Sequence, residues 1–489
     1  MLKQLMAKKD LNALRTEADS AKLNRALGTW ALTAIGIGAI IGTGIFVLTG
    51  IAAAQYAGPA IVLSFVIAGI GCAFAGLCYA EFSAMVPVAG SAYSYSYATL
   101  GEFIAWFVGW NLVLEYLFAA ATVSVGWSRY LAKLLGEFGL GLPDALTSAP
   151  LALASGGASL VASGRLFDLP AVLIVCVLTA LCYVGIRQST AVNSVIVALK
   201  VLVLMVVICA GALYVSTANW HPFIPPNAGH FGEFGFSGVL RASAVIFFAY
   251  IGFDAVSTAA QEARDPARTV PRGILASLAI CTLLYIAMGA VLTGLVPYAM
   301  LNDAAPVAVA LNAHEGLRWL KIPVIIGALA GLTSTIIVMI IGQSRIFLAM
   351  SRDGLIPPFF GRVHSTFKTP HVATLMTGGV AALIAGSLPI ELLGQLVSIG
   401  TLLAFIVVCI GVLVLRNSSP DMPRPFRVRA PWLVCPLGVL FCGLMALSLP
   451  RDTWIRLAVW TVIGVVVYFM YGRKHSRLRD EPGVMTRTS

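Results

Sequence analysis

Residues 30–53 read WALTAIGIGAIIGTGIFVLTGIAA, a run without one charged side chain and with Gly36, Gly38, Gly42 and Gly44 crowded into its middle. The run exceeds the roughly 20 apolar residues that a helix needs to cross a bilayer. Glycine inside a helix costs about 1 kcal/mol relative to alanine and frees backbone groups. In lipid, freed groups are tolerated only around a protein-lined cavity. A single glycine pair would suit a helix-packing face, but four glycines around Thr43 read as a membrane helix broken near Gly42.

The surrounding sequence extends this reading. From Ala26 to Ala80 there is no Asp, Glu, Lys or Arg, which is room for two spans. The 489-residue chain is 59% hydrophobic and 11% charged, against roughly 25% charged in a soluble domain. A water-soluble protein is excluded. Apolar windows predict about twelve helices, near 30–53, 58–84, 103–134, 168–187, 189–215, 238–260, 271–296, 321–351, 370–388, 391–415, 431–449 and 453–472. The third and eighth exceed one bilayer thickness and must tilt or project.

With the N-terminus inside, 22 Lys and Arg fall on the cytosolic side and 8 on the other. The positive-inside rule then places both termini in the cytosol of a multi-pass cell (inner) membrane protein. The same asymmetry accounts for the net charge of +11 without nucleic acid as a partner. Residues 1–28 read as a cytosolic amphipathic helix with no signal-peptide pattern, and 474–489 as a cytosolic tail. The nine cysteines lie in apolar runs and read as packing residues. No Walker A motif or clustered metal ligands occur, so no cofactor and no metal are expected.

Polar residues in mid-membrane are the functional candidates. Lys200, in STAVNSVIVALKVLVLMVVICAG, lies about eleven residues from the nearest helix end, roughly 16 Å at 1.5 Å per residue. Its stem of about 6 Å cannot carry the ammonium to the headgroups. Lys200 must therefore face the interior, in a functional site or a structural ion pair. Glu115, in WNLVLEYLFAAA, is equally central and needs a partner, a proton or water. Asp254, in FFAYIGFDAVST, lies nearer the cytosolic end of its span, where a helix-packing or gating role and a substrate contact are both open. Glu81 and Arg345 sit near cytosolic ends, where snorkelling or a salt bridge suffices.

A second break is expected at Gly252, between Phe248 and Asp254. The two breaks occupy the first helix of each five-helix half, 29–215 and 237–416, with 430–473 supplying two further helices. This pattern predicts inverted repeats with a midplane site between broken helices. Free amides there would hold a carboxylate and free carbonyls an ammonium, so the expected ligand is an amino acid zwitterion.

Four runs carry a family likeness: GIGAIIGTGIFVLTG (36–50), CYAEFSAMVPVAGSAYSYSYATLGE (78–102), FFAYIGFDAVSTAAQEARDP (247–266) and AMSRDGLIPP (349–358). Together they resemble the amino acid-polyamine-organocation superfamily, specifically bacterial relatives of the cationic amino acid transporters. The likeness covers nearly the whole chain and weakens in the termini and at 136–167. It implies an all-α, leucine-transporter-like fold of five plus five inverted spans and two C-terminal helices. By the same likeness the substrate carboxylate would sit on Thr43 and the Gly44 amide, and its amine on carbonyls of Ile40, Phe248, Ala249 and Ile251. Lys200 falls where proton-coupled members carry a lysine in place of a sodium ion. Its ammonium would bridge the first and fifth helices, linking protonation to the opening of the site. Glu115 matches an acidic position in the third helix that would tune proton coupling or shape the pocket. Met339, in TIIVMIIGQSR, falls where the eighth helix faces the substrate side chain, or is plain packing. As a pocket residue it offers no countercharge to a basic side chain.

The resulting expectation is a proton-coupled importer of L-amino acids, with small neutral ones such as alanine ahead of cationic ones, working by alternating access. An exchanger, a cationic amino acid transporter and a non-transporting amino acid sensor are the competing readings. A membrane enzyme is disfavoured, because the six histidines lie in predicted loops or tails away from intramembrane acids. The expected partners are the amino acid, protons and membrane lipid, with room for a small single-helix accessory subunit around a monomer. The aromatic and acidic stretch 92–102 and EARDPARTVPRG (262–273) read as cytosolic loops suited to an inner gate or to plain anchoring.

Overall fold

The computed structural model describes residues 5–10, 27–85, 90–153, 160–185, 190–260, 263–303 and 305–479. The first expected span is in two pieces, Thr29–Ile40 and 44–57, and the sixth likewise, Gly235–Ile246 with the 3-10 turn Phe247–Tyr250, then Ala255–Thr258. The continuous spans are Ile61–Met85 (span 2), Glu102–Glu137 (3), Leu169–Val184 (4), Thr190–Ala212 (5), Pro266–Leu295 (7), Lys321–Arg352 (8), His371–Ser387 (9), Ile390–Ser418 (10), Pro431–Ser448 (11) and Arg451–Val467 (12). The protein is therefore all-α and multi-pass. Among the described residues the strands are confined to one hairpin between spans 3 and 4, Leu151–Leu153 against Leu160–Ala162. Much of the expected N-terminal helix and tail falls outside the described residues.

Span 1 packs on spans 5 and 7, and span 6 on spans 10 and 2. Span 5 leans on span 8 and span 10 on span 3, while spans 3 and 8 pair, as do 4 and 9. Exchanging each of the first five spans for the one five places further on leaves this set of pairings unchanged. Span 11 covers spans 2 and 10, and span 12 covers spans 3 and 10. Trp110 stacks on Trp460 at 4.6 Å between ring centroids, and Trp106 Nε1 donates to Gly464 O at 2.9 Å, fixing span 12 against span 3. Exposed apolar stripes such as Leu173, Val177 and Leu181 on span 4 are the surface a bilayer covers.

Near the C-terminal end of span 2, Glu81 does not snorkel. It is buried and held by Arg416 (Nη2 to Oε2, 2.6 Å; Nε to Oε1, 3.1 Å), by Arg424 at 3.5 Å and by the amide of Val428. The stretch expected as a loop at 92–102 is largely a buried helix, Ser91–Thr99. Its tyrosines are satisfied tertiarily: Tyr93 donates to Asp353 at 2.7 Å and Tyr97 to Glu102 at 2.9 Å. Lys9 pairs with the same Asp353 at 2.9 Å, and Tyr468 and Ser476 donate to Glu102. All nine cysteines are free thiols; Cys176 and Cys209 are exposed and the other seven buried.

Candidate functional site

The backbone of span 1 leaves the helix at Ile41 (φ −72°, ψ 101°) and that of span 6 at Ile251 (φ −63°, ψ 135°). Gly252 then takes φ +116°, a left-handed conformation that side chains rarely adopt. The two breaks touch reciprocally. A Cβ on Gly252 would come within 2.8 Å of Ala39, and one on Gly44 would collide with the backbone of Ala249. Gly36, by contrast, stays helical and packs on Ser277 and Val256, while Gly38 is helical as well. The glycine run thus divides: its first half belongs to the helix and its second half makes the break.

At the break, Gly38 O and Ile41 O have lost their helical donors, since neither Gly42 N nor Ile45 N reaches them. Lys200 replaces both. Its ammonium donates to Gly38 O at 2.7 Å, Ile41 O at 2.9 Å and Thr335 Oγ1 at 3.1 Å, and the residue is 1% exposed. Gly331 leaves room for its stem, the Lys200 Cε lying 3.2 Å from where a Cβ would be. The alternative of an ion pair is not what is found: among the described residues Lys200 meets carbonyls and a hydroxyl, not a carboxylate.

Of the carbonyls expected to receive an amine, Ile40 O and Ala249 O share the hydroxyl of Tyr285, at 3.0 and 2.9 Å. Phe248 O closes a turn with the Ile251 amide at 3.2 Å. A fully buried tyrosine from span 7 therefore bridges the two breaks. Thr43 Oγ1 is buried without a hydrogen-bond partner, and the Gly42 amide has no backbone acceptor among the described residues. Thr43 faces Gly126 of span 3, where a Cβ would lie 2.8 Å from its Oγ1. An unpaired hydroxyl and an unpaired amide at the start of a helix form a natural seat for a carboxylate.

Asp254, in the turn after Gly252, accepts from Tyr116 through Oδ2 and leaves Oδ1 unpaired. Its neighbour across the interior is Glu115, wholly buried, with the Thr401 hydroxyl beside its carboxyl group. Tyr116 in turn packs on the bare backbone of Gly342 in span 8. Met339 is buried one helical turn beyond Thr335, on the face that carries Lys200's partner at one end and Gly342 at the other. Gln343 follows one turn later, with both side-chain amide atoms buried and unpaired.

The paired breaks thus bring a lysine and unpaired polar groups together in the interior. A family model described as "Amino acid permease" matches residues 27–471. The chain belongs to the amino acid permease family. Among this permease's relatives, the branched-chain amino acid permease BcaP of Bacillus subtilis (strain 168) is 46% identical over 459 residues, 94% of this chain and 95% of the relative. The methylthioribose transporter of the same organism is 44% identical over 477 residues, 98% of this chain and all of the relative. The mitochondrial cationic amino acid transporter 3 of Arabidopsis thaliana is 37% identical over 430 residues, 87% and 68% of the two chains. Their printed names are those of permeases and transporters, none of an enzyme. The permease residues that sequence reasoning missed are Tyr285, Thr335, Tyr116, Gly126 and Gln343. A tyrosine or glutamine amid an apolar span was the available signal for three of them, Tyr116, Tyr285 and Gln343.

Proposed function

We propose that this permease imports neutral aliphatic L-amino acids, branched-chain ones foremost, together with protons. The observation that carries the reading is Lys200, whose titratable ammonium substitutes for two missing helical donors at the span 1 break. Protonated, it ties spans 1, 5 and 8 together; deprotonated, it loses its charge and a donor, and the break is released. Alternating access then follows from motion of one five-helix half against the other, as the exchange symmetry of the span pairings suggests. Both termini face the cytosol on this reading.

The substrate carboxylate takes Thr43 and the amides of Gly42 and Gly44, and its ammonium displaces Tyr285 from Ile40 O and Ala249 O. Glu115 and Asp254 supply further proton-binding or gating groups on the far side of the span 6 break. Met339 supports a neutral side chain, because a cationic one would meet a thioether instead of a carboxylate. The BcaP similarity shifts the preferred size above alanine, towards leucine, isoleucine and valine.

The test is uptake of radiolabelled leucine, alanine, arginine and methylthioribose into proteoliposomes, with and without an inward proton gradient. Leucine uptake stimulated by the gradient into vesicles without internal substrate supports the reading. Uptake that requires internal amino acid makes the protein an exchanger. Arginine or methylthioribose outrunning leucine removes the substrate assignment.

A further inference from the structure

A cavity of about 660 Å³ opens beside the outer half of span 1, within the roughly 300–1,000 Å³ range of small-molecule sites. Its walls are the end of span 1, the outer part of span 3, the hairpin between spans 3 and 4, the start of span 6 and the link between spans 9 and 10. Its lining includes Val125, the residue before the Gly126 that faces Thr43. On span 3 the cavity lining thus reaches the level of Gly126.

Five charged side chains line it: Arg129, Arg165, Arg241, Glu233 and Glu391. Among the described residues no arginine of this set lies within 4 Å of either glutamate, though Glu233 is within electrostatic reach of Arg241, so both signs of charge face one space. Two of the arginines are otherwise engaged. Arg165 donates to Asp144 O at 2.9 Å, and Arg241 donates to Ser448 O at 3.0 Å and covers the Phe231 ring. The half-buried Arg129 keeps its Nε buried without a hydrogen-bond partner. Asp168 is within electrostatic reach of it without an ion pair inside 4 Å; Ser128 at 2.5 Å and the Ala171 amide at 3.2 Å take its Oδ1, and its Oδ2 is buried and unpaired. A buried guanidinium donor without an acceptor is costly unless a ligand supplies one. A planar fork beside opposite charges fits an α-carboxylate whose ammonium turns towards the acids.

We propose that this cavity is an outer capture site for the zwitterionic amino acid, with Arg129 as the carboxylate anchor and Glu233 and Glu391 facing the ammonium. The proposal rests on the amino acid reading of the central site. Arg129 lies one turn outward of Gly126, so substrate released from it is about 5 Å of helix rise from Thr43. Capture raises the local concentration of substrate at the central site; it contributes to affinity and not to the conformational step.

The test uses the full-length protein in proteoliposomes, reading leucine counterflow with internal leucine saturating and external leucine varied. Wild type is measured first, and absence of counterflow there overturns the amino acid reading itself. Arg129→Ala is expected to raise the external KM roughly tenfold with kcat held within about twofold, the loss of one charged hydrogen-bonding anchor. Arg129→Lys, which keeps the charge, recovers most of the KM. Arg129→Gln carries the same expectation as alanine if the alanine variant does not insert. Asp168→Asn, which keeps the cap on span 4, stays at the wild-type KM. The proposal is overturned if Arg129→Ala leaves KM unchanged, if kcat alone falls, or if Asp168→Asn reproduces the KM rise, since Arg129 would then act through Asp168.

Discussion

Removing the Lys200 charge while keeping its bulk, as in Lys200→Met, isolates the ammonium from the space it fills. Two backbone carbonyls, Gly38 O and Ile41 O, lose their donor, and their helical donors cannot return while the break persists. A hydrogen bond to a charged group contributes about 1.5–3 kcal/mol, and the low end applies because water can enter a protein-lined break. The two together come to about 3 kcal/mol, which moves the equilibrium between the arrangement seen here and one with span 1 parted from span 5 by about a hundredfold. Thr335 adds a neutral contact that survives in part through its own bonds to the same carbonyls at 3.3 and 3.5 Å. Proton-driven leucine uptake into proteoliposomes should therefore fall by more than tenfold, and the remaining flux should no longer respond to external pH. The sign is set by the donor: the arrangement seen here is favoured by acid, and alkaline conditions act on wild type in the direction of the mutation. A Lys200→Met protein that keeps both its rate within twofold and its acid stimulation would refute the role given to Lys200.

Gly126→Ala places a methyl 2.8 Å from Thr43 Oγ1 and 2.9 Å from its Cγ2; such overpacking costs about 1–3 kcal/mol of stability, so thermal melting in detergent should fall by a few degrees, and leucine binding by the purified protein should weaken as Thr43 is displaced. Glu81→Gln leaves the buried Arg416 without its carboxylate, and breaking a buried pair costs about 3–5 kcal/mol, so detergent melting should drop by several degrees; an unchanged melt would remove the structural role. Lys9→Ala breaks a partly exposed pair, with side chains 23% and 13% accessible, which contributes less than about 1 kcal/mol; initial uptake rates should shift by less than about fivefold.

Much of this arrangement is legible in the sequence wherever the bilayer leaves the chain few choices. Twelve apolar windows could only become helices, and Lys200, too deep to reach the headgroups, had to find partners inside. Which partners was not legible: Thr335 and the carbonyls of span 1 come from elements far apart in the chain. The glycine run announced a break without saying which glycines make it, because Gly36 and Gly44 differ only in the neighbours that press on them. The Ser91–Thr99 helix was misread as a loop because its tyrosines and serines look polar one by one. They are buried where Asp353 and Glu102 accept their hydroxyls.

Tyr285 carries one hydroxyl proton and stands between two carbonyls on two different broken helices. A carrier that moves net solute must make half of each cycle with nothing aboard, and bare carbonyls facing each other in a closed, dry site would oppose that empty return. On the proposed reading the phenol would act as an understudy for the passenger's ammonium, holding its place on the way back and yielding it when cargo arrives. A protein with such a stand-in could then recross unladen, whereas one without it would have to wait for cargo on both shores.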